Sequence, residues 1–150
     1  MKTALLAPLL FALSAAACAQ AAAPVAVDGA WARPAVAQQG ATGAYMKLTA
    51  REPLTLLGAD ATAAGIVEIH EMKMVGDVMK MGAVDTLPLA PGKTLELKPG
   101  GYHFMLMDLK GPLKAGDQFR MTLRFRDAKG AETTLPVTVP VKHAPAAAHR

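Results

Sequence analysis

Apolar and polar residues alternate most regularly over residues 118–126. Phe119, Met121, Leu123 and Phe125 are interleaved with Gln118, Arg120, Thr122, Arg124 and Arg126. A period of two puts one set on a buried face and the other in water, which predicts a half-buried β-strand. Residues 133–141 repeat the pattern, with Leu135, Val137, Val139 and Val141 on one side. Pro136 and Pro140 fall on the other side. Because proline cannot donate to a ladder, this strand is expected at a sheet edge. Shorter runs rich in Val, Leu, Tyr and Thr predict further strands at 30–33, 43–49, 55–59, 65–74, 78–84, 94–97 and 102–109. Gly76-Asp77 marks a hairpin, Pro99-Gly100-Gly101 a tight turn, and residues 112–116 a loop. No amphipathic helix of useful length is visible from Val25 onward. About nine strands punctuated by glycine and proline predict an all-β fold, a Greek-key β-sandwich.

The ends of the chain read differently. Lys2 is followed by an apolar run from Leu5 to Leu13, then by the small residues Ser14-Ala15-Ala16-Ala17-Cys18-Ala19. A positive start, a short apolar stretch and a small-residue exit are the parts of a secretory signal peptide. The run is shorter than the roughly 20 residues a membrane span needs, and no later segment is longer. The expected division is a signal peptide over 1–21, a linker over 22–24, one domain over 25–141 and a flexible Ala- and Pro-rich tail over 142–150. Export to an oxidising compartment follows from the leader.

Cys18 is the single cysteine. It reads as a small residue of the cleavage region rather than a lipid-bearing one, since Ala15 stands where a larger apolar residue usually precedes a lipidated cysteine. The expected domain therefore has no disulfide and no thiolate. It also has no serine, since the only one is Ser14. With the carboxylates scattered rather than paired, no catalytic constellation is visible, and an enzyme is not expected. The net charge of +4 comes from 16 basic and 12 acidic residues. The basic residues are neither clustered nor interleaved with aromatics, which argues against nucleic acid.

The unusual chemistry lies between Met72 and Met107, which hold six of the nine methionines. A strand methionine is ordinarily core packing, but strand parity groups these residues. His70, Met72 and Met74 share one face, Met79 and Met81 another, and His103, Met105 and Met107 a third. A hairpin centred on Gly76-Asp77 sets Met72 opposite Met81 and Met74 opposite Met79, with His70 one diagonal step from Met81. A histidine on such a face must find hydrogen-bond partners or bind something. Thioethers beside imidazoles are soft, neutral donors that select Cu(I). Zinc would draw cysteine or a carboxylate as well, and the nearby Glu71 faces the other way. Register alone leaves Met72 nearly as plausible a ligand as Met81.

These residues resemble the periplasmic copper chaperones of the PCu(A)C family. That family carries a histidine, ten residues, a methionine, twenty-one residues and then His-x-Met; His70, Met81 and His103-Phe104-Met105 fall at those spacings. Val67 to Met72, Val78 to Met81, Pro99 to Met107, Ala30 to Pro34 and Ala44-Tyr45-Met46 are also similar, so the likeness covers about 25–141. Gly82 stands where the family often has a basic residue, and Thr49-Ala50 replaces a usual asparagine. The resemblance implies a cupredoxin-like sandwich holding one Cu(I) per chain through His70, Met81, His103 and Met105. It also implies delivery to the copper-site subunit of cytochrome oxidase, with Sco-type copper proteins as partners. Met72, Met74, Met79 and Met107, on the same faces, are expected to form a soft surround. His143 and His149 in the tail offer a weak second place for Cu(II). Competing readings are copper storage or tolerance, and a metal-free envelope adaptor using the methionines as a sticky face. A blue-copper electron carrier would need a cysteine thiolate that the domain lacks.

Overall fold

The computed structural model describes residues 24–144. The expected signal peptide with Cys18, most of the linker, and His149 lie outside the described residues. Ten strands form two antiparallel sheets packed face to face. They are β1 (Val25–Ala32), β2 (Ala41–Ala50), β3 (Leu54–Ala61), β4 (Ala64–Val75), β5 (Val78–Val84), β6 (Leu87–Leu89), β7 (Thr94–Leu97), β8 (His103–Leu109), β9 (Gln118–Asp127) and β10 (Glu132–Pro140). The larger sheet runs β1-β2-β8-β4-β5, with β7 also beside β2; the smaller runs β10-β9-β3-β6.

The clearest alternation does what its period requires. Phe119, Met121, Leu123 and Phe125 are buried, while Arg120, Arg124 and Arg126 point to water. Proline-bearing β10 is an edge strand, with Pro136 opposite Thr122 in the register with β9. From the larger sheet, Met46, Leu48, Ile69, Phe104 and Leu106 face this layer and complete the core. Each large apolar side chain removed from water in this way stabilises the fold by roughly 1.5–3 kcal/mol.

Two strand expectations change. The strand Leu87–Leu89 was not anticipated, because three residues around a proline carry no readable period; Leu87 and Leu89 are buried and Pro88 is exposed at the edge of the smaller sheet. The first strand begins at Val25 rather than at residue 30, and a register shift between Asp28 and Trp31 breaks its alternation. The fold also holds Lys142, whose backbone N–H donates to the Ala32 carbonyl at 3.0 Å.

The placement of β7 and β8 creates a step in the larger sheet. Both pair with the same side of β2, β7 against residues 46–49 and β8 against 41–44. The Pro99-Gly100-Gly101 turn therefore sits where one strand stops and the next starts. On the far side of β8, β4 pairs with it only as far as His70, which lies opposite His103. Beyond His70, β4 continues with β5 alone, as a hairpin that overhangs the end of β8. Gly76 turns that hairpin with φ 63°, a left-handed conformation glycine adopts without a steric penalty.

Candidate metal site

Four strands and one turn build the outer face of the larger sheet at this step. On β8, Phe104 and Leu106 are fully buried in the core, so parity turns His103 and Met105 outward. On the hairpin, Met72 lies directly opposite Met81 and Met74 opposite Met79, while His70 faces Ala83 and so sits diagonally from Met81. On β2, Gly43 is in register with Met105. Here Gly43 is needed for space: a Cβ at this position would collide with the Tyr45 hydroxyl.

A cleft of about 340 Å³ opens among these elements. Met72, Met81, His103 and Met105 line it, together with Tyr45 and Arg33. His70 adjoins it through His103, their ring centroids 5.9 Å apart. Three of the four expected ligands thus line one cleft, and the fourth, His70, stands beside it. Of the expected surround, Met72 lines the cleft, whereas Met74 and Met79 are largely exposed further out on the hairpin. Met107 lies further along β8, opposite Ile66 and Ala41. His143 is exposed beyond β10.

The donors differ in how firmly they are held. His103 is only 5% exposed. Its Nδ1 donates to the Gly101 carbonyl at 3.1 Å, which leaves Nε2 with the free lone pair. The same carbonyl accepts the Met72 N–H at 3.2 Å, tying β8, the turn and the hairpin together. Tyr45 packs against the His103 ring at 6.2 Å and against Trp31 at 4.6 Å. Burial lowers the His103 pKa below 6.5; the Gly101 bond opposes that shift, and nearby His70 and Arg33 reinforce it. The ring is therefore neutral at pH 7, as a metal ligand must be. Burial also raises the Tyr45 phenol, against the pull of Arg33, whose guanidinium lies 5.5 Å over its ring. Met81, at the other extreme, is 50% exposed.

One carboxylate was missed. Glu68 stands two residues before His70 and therefore shares its face, a placement that strand parity already implied. Its Oε2 lies 2.8 Å from His70 Nε2. The other nitrogen of that ring, Nδ1, is buried and has no hydrogen-bond partner. Glu71 faces away, paired with Lys73 at 3.2 Å. Among the described residues no three of His, Cys, Asp and Glu converge on one point.

Residues 25–139 match the family described as "Putative lipoprotein LpqE-like". The chain belongs to the LpqE-like family. Among sequence relatives, "Putative lipoprotein Lxx21020" of Leifsonia xyli subsp. xyli is 39% identical over 121 residues, covering 79% of this chain and 69% of its own length. An uncharacterised protein of Rickettsia prowazekii, RP573, is 36% identical over 103 residues, covering 65% of this chain and 57% of its own length. The solution structure of CuI-DR1885 from Deinococcus radiodurans superposes with a TM-score of 0.56 at 36% identity, covering 84% of this chain and 83% of that one. The copper-bound PCuAC domain of PmoF2 gives 0.59 at 23% identity, covering 81% and 97%, a likeness of fold alone. The LpqE-like chain thus has the cupredoxin-like architecture of PCuAC domains.

Proposed function

We propose that this protein is an exported copper chaperone that binds one Cu(I) through His70, Met81, His103 and Met105 and passes it to an acceptor. The observation that carries this reading is the shared cleft, where thioethers and a neutral imidazole with a free Nε2 meet beside an imidazole whose buried Nδ1 has no partner. A buried lone pair without a donor is costly unless something fills the role. Soft neutral donors select Cu(I) over hard ions. A structural relative at 36% identity, CuI-DR1885, supports the same metal. The lipoprotein description of a sequence relative supports export.

Delivery to the copper-site subunit of cytochrome oxidase, in the periplasm and alongside a Sco-type protein, is the acceptor role we assign. An open cleft with a half-exposed methionine suits it, because ligand exchange requires that an incoming donor reach the ion.

Anaerobic Cu(I) titration against a chromogenic chelator tests the site, comparing the parent with a His103→Ala, Met105→Leu variant. One equivalent held by the parent and lost in the variant is the expected result. No competition by the parent ends the copper reading and leaves the metal-free adaptor in its place.

A further inference from the structure

The two histidines of the proposed site are oriented by different devices. His103 donates from Nδ1 to a backbone carbonyl, so its Nε2 lone pair is free. His70 is held from the other end, its Nε2 lying 2.8 Å from Glu68 Oε2. An ionised carboxylate only accepts, so the hydrogen of this bond belongs to Nε2. A neutral His70 ring then has its lone pair on Nδ1, and that atom is the buried one without a partner. The neighbouring Glu71 cannot substitute for Glu68, because it is on the opposite face and engaged by Lys73. Nor is Glu68 diverted elsewhere, because among the described residues its only charged partner is His70.

We propose that Glu68 is a positioning residue that fixes the Nε2–H tautomer of His70, so that copper is taken by Nδ1 of His70 and Nε2 of His103. The inference rests on the Cu(I) reading above and deepens it. A carboxylate behind a metal-binding imidazole fixes the tautomer, restrains the ring and raises the basicity of the ligating nitrogen. Glu68 is built into the same sheet, in register with Met105 across the β4–β8 pair, so the orienting group and two donors move as one unit. Nothing of this kind backs Met81, which is why His70 becomes the fixed end of the hairpin's contribution.

Imidazole ¹⁵N spectra of the labelled protein, before and after one equivalent of Cu(I) under anaerobic conditions, test this directly. The copper-free protein is expected to show His70 as the Nε2–H tautomer. Copper is expected to shift Nδ1 of His70 and Nε2 of His103. A copper shift at Nε2 of His70 overturns the proposal while leaving the Cu(I) reading intact; failure of the protein to take up Cu(I) at all removes both.

Two variants add a second readout. Glu68→Gln keeps an accepting oxygen and is expected to preserve the tautomer and hold Cu(I) within about threefold of the parent. Glu68→Ala is expected to give mixed tautomers and affinity about ten- to a hundredfold weaker, the usual range for loss of such a partner. An alanine variant equal to the parent, or a glutamine variant as weak as alanine, refutes positioning by an accepted hydrogen bond. The parent spectrum depends on neither variant, and Glu68 is exposed, so folding does not obscure the outcome.

Discussion

Strand β8 and strand β5 both supply proposed copper donors, yet they are placed in opposite ways. β8 lies inside its sheet, paired with β2 on one side and β4 on the other. Its inward residues Phe104 and Leu106 are fully buried, and its outward His103 is nearly so. β5 is an edge strand in which every residue but Val84 is exposed. The hairpin that carries it overhangs the end of β8, so neither face of its outer half is covered. One half of the site is therefore locked to the core, and the other is attached through a two-stranded extension. A two-stranded hairpin alone is marginally stable in water, which makes this half the natural place for motion. Retention of an ion calls for the first kind of support, and its surrender to another protein for the second.

The largest effect that would break this contrast is on stability. Phe104→Ala removes a fully buried ring directly behind His103 and should cost about 3–5 kcal/mol. Met79→Ala on the outer hairpin should change stability by no more than about 0.5 kcal/mol, as exposed substitutions do. Urea denaturation of the two variants measures both. Equal losses would mean that the hairpin is as integral to the fold as β8.

Copper affinity gives the next largest separation. His103→Ala should weaken Cu(I) binding by about a hundredfold, or about 2.8 kcal/mol. Met81→Leu, which conserves volume, should cost about tenfold, or about 1.4 kcal/mol. Met72→Leu is expected to do less than either, although Met72 lines the same cleft. Chelator competition ranks the three. A larger loss at Met72 than at Met81 would move the fourth ligand one strand across, a substitution that their direct pairing allows.

That ambiguity marks how far the residues alone could be read. The β9 and β10 faces followed from a period of two, and the opposition of Met72 to Met81 from that period together with the Gly76-Asp77 turn. Parity needs only local sequence, and a buried face enforces it. β6 was not legible, because Leu87-Pro88-Leu89 is held by tertiary contacts rather than by pattern. Glu68 was legible in principle, being two residues from His70, but its pairing with one ring nitrogen is a matter of side-chain geometry. The step at which β8 begins and the hairpin starts to overhang depends on β7 and β8 sharing one side of β2. That relation joins segments far apart in the chain and leaves no local trace.

A smaller effect sharpens the contrast from the β2 side. Gly43→Ala adds a methyl group where the Tyr45 hydroxyl lies, beside Met105. Tyr45 must then shift, and it packs on His103. The expected outcome is a several-fold loss of Cu(I) affinity, read by the same competition, with the hairpin pairing unaltered in amide spectra. Unchanged affinity would show that the cleft absorbs the shift without moving His103.

The smallest expected effect concerns protons, and it too divides the two halves. Met81 has no proton to lose, so the hairpin's thioether is indifferent to pH. His103 is not, because burial holds its pKa below the 6.5 of a free imidazole. Between 6.5 and that lower value the unfolded chain binds a proton that the folded protein refuses. Stability should therefore be complete above about pH 6.5, fall as the pH drops toward the depressed folded pKa, and level off below it. Urea midpoints of the copper-free protein from about pH 8 to about pH 5 measure the slope, with His103→Gln as the comparison. A slope that survives unchanged in that variant would assign it to other groups and leave β8 no more sensitive to acid than β5.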